Sequence, residues 1–473
     1  MSFVRDNMAP LMFGGMVVFM LIGYPAAFSL AATGLFFGFV GIELELIRPD
    51  FLGNLTYQLF GIVSNDLLLA IPFFTFMGAI LERSRLAEDL LDSIGQLFGP
   101  LRGGLSYAVI IVGAILGAIT GTVAASVIAM GVIAMQPMLK YGYSTRHTMG
   151  VIAASGTITQ VIPPSLVLIV LADQLGQSVG DMYAGAIGPS LIQIGLFCLW
   201  VFIVSLVWPK HVPALPPEAR TLSGLSLLIK CLRGVIPSLG LIFLVLGTIF
   251  LGLATPTEAG AMGAMGALAL AAANRRLDYP QLYQAMSTTM RITAMVVFIL
   301  IGARTFSLVF QGVGGKVWVE DLLGALPGGQ IGFLLFVNIF IFLIAFFLDF
   351  FEIAFIIIPL LAPVAAKLGI DLVWFGVLIC ANIQTSFMHP PFGYALFYLR
   401  GIAPPSVKSK EIYWGAIPWL CLQLILVLIL IFWPESVTHW IRHDAPLDPS
   451  QIIELPRPEL PPAFEFNEPP RGR

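Results

Sequence analysis

The chain repeats itself. Aligning Pro163-Pro164 with Pro390-Pro391 puts its two halves in register at an offset of about 227 residues over most of their length. The match is local as well as gross. Asp181-Met182-Tyr183-Ala184-Gly185-Ala186-Ile187 answers Glu411-Ile412-Tyr413-Trp414-Gly415-Ala416-Ile417, and Phe76-Met77-Gly78-Ala79 answers Leu300-Ile301-Gly302-Ala303. Gln136-Pro137 with Lys140 and Gly142 likewise answers Ala362-Pro363 with Lys367 and Gly369. A duplicated chain must bury equivalent faces twice, so whatever one half forms, the other forms again.

Composition fixes the solvent. With 58% hydrophobic and 11% charged residues in 473, and a mean hydropathy of +0.93, the chain reads as an all-α polytopic membrane protein. The net charge of −3 averages over loops and lipid-facing helices and points to no nucleic-acid partner. Cys198, Cys231, Cys380 and Cys421 lie in or beside apolar runs without metal or redox spacing, and read as packing residues. Residues 1 to 10 lack the basic start and short apolar core of a cleavable signal.

Apolar runs cover roughly 8 to 41, 55 to 81, 106 to 139, 148 to 175 and 184 to 208. Their counterparts are roughly 236 to 273, 291 to 310, 331 to 366, 372 to 399 and 412 to 433. A helix crosses the hydrocarbon in about 20 residues. The 236 to 273 run, interrupted at Ala254-Thr255-Pro256, is therefore two spans, and 8 to 41 breaks likewise near Gly23-Tyr24-Pro25. The 106 to 139 and 331 to 366 runs break at Thr120-Gly121-Thr122 and Leu348-Asp349-Phe350. Their short arms suit re-entrant hairpins better than two full crossings.

Each half then has five spans, one hairpin and one broken helix. An odd number of spans makes the repeat inverted. Basic residues from Arg83, Arg85 and Arg102 through Lys408 and Lys410 fall on one face, whereas the other has only Arg48, Lys316 and Lys367 in its inter-helix loops. By the positive-inside rule the rich face is cytoplasmic, so both termini are expected in the periplasm. The predicted units are 1–208 (first repeat), 209–235 (a cytoplasmic linker, tether plus surface helix), 236–433 (second repeat) and 434–473 (a proline-rich tail).

A hairpin tip at mid-membrane presents carbonyls that suit a cation and amides that suit an anion. The first tip carries Thr120, Gly121, Thr122 and Ser126, beside the broken helix with Ser155, Gly156, Thr157, Thr159, Pro163 and Pro164. The second carries Asp349, beside Asn382, Gln384, Thr385, His389, Pro390 and Pro391. Paired prolines free upstream carbonyls. Neutral oxygens of this kind are hard ligands suited to an alkali cation such as sodium, the only metal expected here, and no cofactor is expected. The polar residues could equally just patch the interrupted helices. Two symmetry-related breaks, each beside a hairpin, favour a site where the repeats meet, as in secondary transporters.

Isolated charges in apolar runs have two readings each. Glu258 is an intramembrane ionisable group or the closing residue of a Thr255-Pro256-Thr257-Glu258 capping box. Asp349 and Glu352, one turn apart at the second tip, ligate sodium or carry a proton, or Asp349 is an N-cap of the second hairpin arm. Arg304 contacts substrate, or pairs with a carboxylate, or reaches to an interface. His389 titrates or is a neutral, hydrogen-bonded imidazole.

The stretch Gly156-Thr157-Ile158-Thr159-Gln160-Val161-Ile162-Pro163-Pro164-Ser165, with Ala254-Thr255-Pro256-Thr257-Glu258-Ala259-Gly260 and Asn382 through Pro390-Pro391-Phe392-Gly393, resembles the DctM-like large membrane subunits of tripartite ATP-independent periplasmic (TRAP) transporters. The resemblance covers roughly residues 8 to 433. It implies a sodium-driven secondary importer of the bacterial inner membrane, in which hairpins and broken helices move as an elevator-type transport domain. It also implies two partners, a small four-helix membrane subunit and a periplasmic binding protein that delivers a small organic acid. The family commonly has a small hydroxyl residue before the second Pro-Pro, where this chain has His389. A stand-alone cation-coupled carboxylate carrier or ion antiporter of related architecture is the competing reading. No His-Glu-x-x-His, paired aspartates on facing spans or Gly-rich nucleotide loop suggests an enzyme.

Overall fold

The structure is a computed structural model that describes residues 2–84, 86–220 and 224–441. No strand occurs among the described residues. Seven helices are long and apolar enough to cross a membrane, or up to nine if each of two bent pairs is one span. The chain is a multi-pass, all-α membrane protein. Both hairpin second arms, Val123–Lys140 and Phe350–Lys367, are among the seven, so length alone does not separate an arm from a span.

The first hairpin is Gly104–Thr120 and Val123–Lys140, and the broken helix after it is Thr145–Thr157 and Leu166–Leu175. In the second half the hairpin is Gly329–Ile344 with Phe350–Lys367. Its broken helix is Leu372–Ser386 and Tyr394–Ile402. One long helix closes each half, Val179–Val207 and Ser409–Phe432. The Pro163-Pro164 and Pro390-Pro391 bonds are both cis.

The halves interlock reciprocally. Thr145–Thr157 packs on the second closing helix, and its counterpart Leu372–Ser386 packs on the first. Val123–Lys140 packs on Tyr394–Ile402, and correspondingly Leu166–Leu175 packs on the second hairpin. Exchange of this kind is the mark of a two-fold relation. Its direction follows from helix ends. Thr145 and Arg146, at the start of the first broken helix, share a cleft with Trp208, just past the end of the first closing helix, and Glu411, near the start of the second. At the opposite end a Cβ on Gly185, near the start of the first closing helix, would meet Val373, near the start of the second broken helix. The two closing helices are therefore antiparallel, the two broken helices start at opposite ends, and the repeat is inverted.

Three boundaries differ from the sequence reading. The 55 to 81 run is two helices, Pro49–Val63 and Asp66–Arg83, bent by 48°. The side chain of Asn65 stops the first and caps the second, accepting from the Leu67 amide at 3.0 Å and donating to Asp173 at 2.7 Å. The linker does not end at 235, because Gly224–Phe250 is one helix that carries the chain straight into the membrane. Lys230 pairs with Asp92, and the Cys231 thiol donates to the Ser93 carbonyl at 3.4 Å, which fastens that helix to the preceding half. Finally, the packed chain continues past 433. Glu435–Thr438 is helical with Val437 fully buried, since Gly185 and Gly188 leave a hollow on the first closing helix that this segment fills. The expectation for 442–473 lies outside the described residues.

Glu258 is a cap. Its carboxylate accepts from the Thr255 amide at 2.8 Å and the Thr255 hydroxyl at 2.9 Å.

Glycine sets the closest crossings. A Cβ on Gly150 would lie 2.2 Å from the Gly415 carbonyl oxygen and 2.5 Å from Trp419 Nε1. Gly195 has nothing within 4 Å of the same atom. Gly150→Leu is therefore expected to lower the melting temperature in detergent sharply, an overpacking cost of about 1–3 kcal/mol or more. Gly195→Ala should leave it unchanged or raised. Equal melting of the two variants would refute the close crossing.

Candidate functional site

At the first tip the helix ends on Gly121 in the left-handed region (φ 63°), and Thr122 is extended (φ −128°, ψ 132°). This geometry turns the last carbonyls of the first arm out of the helical ladder. Hydroxyls converge next to them. Thr120 Oγ1 and Ser126 Oγ are 2.7 Å apart, and the Thr159 hydroxyl lies 3.0 Å from Ser126 Oγ and 2.7 Å from the Gly156 carbonyl. All three side chains are buried. Small residues make the approach possible. A Cβ on Gly117 would sit 2.9 Å from Thr159 Cα, and one on Gly156 would sit 2.8 Å from Val127 Cα.

Ser155 and Thr157 bond back to their own helix, at the Ile152 and Ala154 carbonyls, 3.0 and 2.9 Å away. Gln423 of the second closing helix donates to Thr157 at 3.0 Å. The carbonyls freed around Pro163-Pro164 are largely taken by protein groups. Ser190 donates to Val161 at 3.1 Å, Cys380 to Gln160 at 3.2 Å and Tyr183 to Ser165 at 3.5 Å. Of the expected oxygens in this half, Thr120, Ser126 and Thr159 form one cluster, whereas Ser155 and Thr157 turn away into helix bonds.

The second half is built differently. Asp349 caps its hairpin arm, accepting from the Phe350 amide at 2.7 Å, and Glu352 accepts from the Asp349 amide at 3.0 Å. Both the capping geometry and the tip position of Asp349 are thus realised. Asn382, however, donates to the carbonyl and side-chain oxygens of Asn338, at 2.7 and 2.9 Å. Thr385 donates to the Asn382 carbonyl at 2.7 Å, and its hydroxyl lies 3.2 Å from His389 Nε2. Among the described residues no hydrogen bond joins Asp349 to Asn382, Gln384 or Thr385. The expected second cation set is two separate groups: Asp349 at the tip, and an amide and imidazole cluster behind the hairpin. Both amide atoms of Gln384 are buried without a partner.

One cavity of about 290 Å³ brings the halves together. Gly121 and Thr122 line it from the first tip, Asp349 and Phe350 from the second, and Gln160, Phe387, Tyr394 and Tyr398 from the two helix breaks. Ile292 and Met295 of helix Tyr279–Gly312 close one wall. Arg304 is not part of it. Nine residues further along the same helix, it stands about 14 Å away by helical rise. Nor does His389 line the cavity, because it is wedged between Phe342 and Phe346 with ring centroids 4.1 and 4.3 Å away. The four prolines shape the breaks without lining the cavity: Pro163 and Pro164 are buried, Pro390 is half-buried and Pro391 is exposed. Tyr394, Tyr398 and Asn338 were missed from the sequence. Tyr394 directly follows the Pro-Pro-Phe-Gly break, a position from which it could have been inferred, whereas Asn338 sits in an unbroken apolar run that gives no such cue.

Residues 13–436 match the family model of the tripartite ATP-independent periplasmic transporter, DctM component. The C4-dicarboxylate TRAP transporter large permease protein DctM of Pseudomonas aeruginosa is 30% identical over 85% of this chain and 92% of its own length. The ectoine/5-hydroxyectoine large permease UehC of Ruegeria pomeroyi is 28% identical, covering 90% and 97%. The isethionate permease DctMQ of Oleidesulfovibrio alaskensis is 27% identical, covering 91% and 66%. In structure, the chain is similar to the YdaH transporter of Alcanivorax borkumensis, with a TM-score of 0.61 at 16% identity over 82% of this chain and 89% of that one, a likeness of fold. With two inverted halves meeting at a shared cavity and a family match over nearly its whole length, the chain belongs to the DctM family of TRAP transporter large permease subunits.

Proposed function

We propose that the chain imports a small organic acid across the bacterial inner membrane, driven by sodium, with both termini in the periplasm and the basic face in the cytoplasm. The observation that carries this reading is the cavity lined by both hairpin tips. A site shared by two inverted copies can be offered to either face by moving one body, the elevator-type motion. Sodium is assigned to the hydroxyl cluster of Thr120, Ser126 and Thr159 with the outward carbonyls of the first tip, a set of hard neutral oxygens. The organic anion is assigned to the cavity itself, where the amide end of Val123–Lys140, which has no side-chain cap, favours negative charge.

The substrate class rests on what relatives are named for, C4-dicarboxylates, ectoines and isethionate, all small and polar. A fused DctMQ relative supports a second membrane subunit as partner. A periplasmic binding protein that delivers the acid is the third component of this reading, which the words tripartite and periplasmic in the family's description support.

In vesicles that contain both membrane subunits, with the binding protein outside, carboxylate uptake should follow an inward sodium gradient and stop when it is collapsed. Uptake that ignores sodium sinks the coupling, and uptake undiminished without the binding protein sinks the tripartite assignment in favour of a stand-alone carrier. Thr159→Val and Ser126→Ala are each expected to raise the sodium concentration for half-maximal uptake at least tenfold with little change in melting temperature. An unchanged sodium requirement in both removes the hydroxyl cluster from the cation site.

Gly121 separates conformation from bulk. Its φ of 63° is left-handed, yet the nearest atom to an added Cβ is the Pro164 carbonyl oxygen at 3.9 Å. Gly121→Asn, which tolerates that conformation, should keep most uptake, whereas Gly121→Val, which costs about 1–2 kcal/mol there, should lose it. Equal transport rates for the two variants would mean that the tip geometry is not needed.

A further inference from the structure

Away from the central cavity, a second and larger cleft of about 550 Å³ opens on the outer wall between the two closing helices, at the basic end of the molecule. Its aromatic walls are Trp200, Trp208 and Trp414, with Trp419 at its base. The first broken helix points its N-terminus into the cleft through Thr145 and Arg146. Ser144 caps that helix, its hydroxyl accepting from the His147 amide at 3.3 Å and its carbonyl from the Thr148 amide at 2.9 Å. The amides of Thr145 and Arg146 have no partner within the helix. The site therefore has anion-binding potential.

An independent observation points the same way. His147 is only 8% exposed, and its Nε2 lies 2.8 Å from the Ser106 hydroxyl. Among the described residues its Nδ1 has no hydrogen-bond partner, and the residue lines the cleft. His211 adds a second imidazole, stacked on Trp208 at 6.5 Å. One acidic group faces these. Glu411 lines the cleft too, with one carboxylate oxygen accepting from the Lys408 amide at 3.2 Å.

The internal repeat shows what such a hollow needs. Gly185 is the counterpart of Gly415, and Trp433-Pro434 the counterpart of Trp208-Pro209. At the second copy the chain fills the space itself. Val437 comes within 2.9 Å of a Cβ on Gly185, and Trp440 Nε1 within 2.6 Å of one on Gly188. At the first copy the segment after Trp208-Pro209 crosses the end of the cleft, the His211 carbonyl accepting from the Ser144 amide at 2.9 Å, and leaves the aromatic walls uncovered.

The geometry points to a resident phospholipid with a phosphoethanolamine headgroup in this cleft. Its phosphate sits at the helix N-terminus with Arg146 and the two imidazoles, its ammonium faces Glu411 and the tryptophan rings, and its chains run along the wall between the closing helices. An anionic headgroup would meet Glu411 with nothing to offset it, whereas a headgroup with both charges satisfies both sides of the cleft. Tryptophan is enriched at the membrane interface, where the headgroups are.

Native mass spectrometry of the full chain, delipidated and then supplied with phosphatidylethanolamine or phosphatidylglycerol, tests the assignment. One phosphatidylethanolamine per chain should survive conditions that strip phosphatidylglycerol. Arg146→Gln with Glu411→Gln should cut its retention at least tenfold while lipid-free melting stays unchanged, because glutamine preserves the cap at 411. Trp414→Ala, at an exposed position, is a second variant expected to weaken retention. Equal retention of the two lipids, or full retention by both variants, overturns the proposal. So does displacement of the lipid by glycerophosphoethanolamine without chains at comparable concentration, which would show a headgroup site that needs no membrane.

Discussion

No water reaches the hydrocarbon, so every peptide group there must find a partner inside the protein, and an interrupted helix is tolerable only where something encloses it. Four such interruptions among the described residues are shared between the halves, two at hairpin tips and two at cis Pro-Pro bonds. They are enclosed in two unlike ways. At Pro163-Pro164 tertiary contacts supply the donors, from Ser190, Tyr183 and Cys380. At Pro390-Pro391 the turn closes on itself, with the Gly393 amide donating to the His389 carbonyl at 2.6 Å and the Ala395 amide to Phe387 at 3.1 Å. The first break is held by the opposite half and by its own closing helix, the second mainly by its own loop.

That difference carries into the chemistry. Where Gly113 packs against Ser155 in the first half, the second half sets Asn338 against Asn382. Where Gly117 admits Thr159, Phe342 packs on His389. Small residues on the first hairpin bring hydroxyl oxygens to one point, and larger ones on the second replace them with amide and imidazole groups that satisfy one another. The sequence repeat is close enough to impose the same backbone twice, but it does not impose the same ligands. The cation reading therefore rests on the first half, and the second contributes Asp349 and its aromatic neighbours to the shared cavity.

Much of the architecture was legible because breaks are written in residues with strong backbone preferences: Gly121 for a left-handed turn, paired prolines for missing amides, Thr255-Pro256 for a helix start. The 48° bend at Ser64-Asn65 was legible in kind, since Asn65 is a good cap, but apolar flanks hid it. The site was only half legible. Composition marks which segments are polar, whereas rotation about a helix axis decides which of those side chains face the cavity. Ser155 and Thr159 differ by one turn and both bond back three residues, yet only Thr159 also reaches Ser126. Arg304 stood out as a lone charge in an apolar span, but position along the helix, which spacing does not reveal without a partner, takes it away from the cavity. The continuation past Trp433 was hidden by the proline-rich composition of the tail, although a hollow at Gly185 and Gly188 gives Ser436, Val437 and Trp440 a place to pack.

The same glycine contacts constrain which parts can move together under an elevator-type reading. Gly150 against Gly415 ties the first broken helix to the second closing helix through backbone, and Gly185 against Val373 ties the second broken helix to the first. Interiors packed this closely do not slide continuously, so hairpins, broken helices and closing helices travel as one body if they travel at all. A second body is joined just as closely. A Cβ on Gly34 would lie 3.0 Å from Phe306 Cα, and one on Gly302 would lie 2.3 Å from the Ala27 carbonyl, locking Ala26–Glu43 to Tyr279–Gly312. Helix Asp66–Arg83 packs on Tyr279–Gly312 and also touches the first body: a Cβ on Gly78 would lie 2.2 Å from the Thr120 carbonyl oxygen at the first tip, and Asn65 holds Asp173 at the 48° bend. Its buried Ile71, Phe74 and Met77 share one apolar core with Leu166, Leu168 and Leu171 of the first broken helix. The contact at the first tip is thus as close as those inside each body and lies next to the proposed cation site, so movement between the bodies would break it where the cation is proposed to bind.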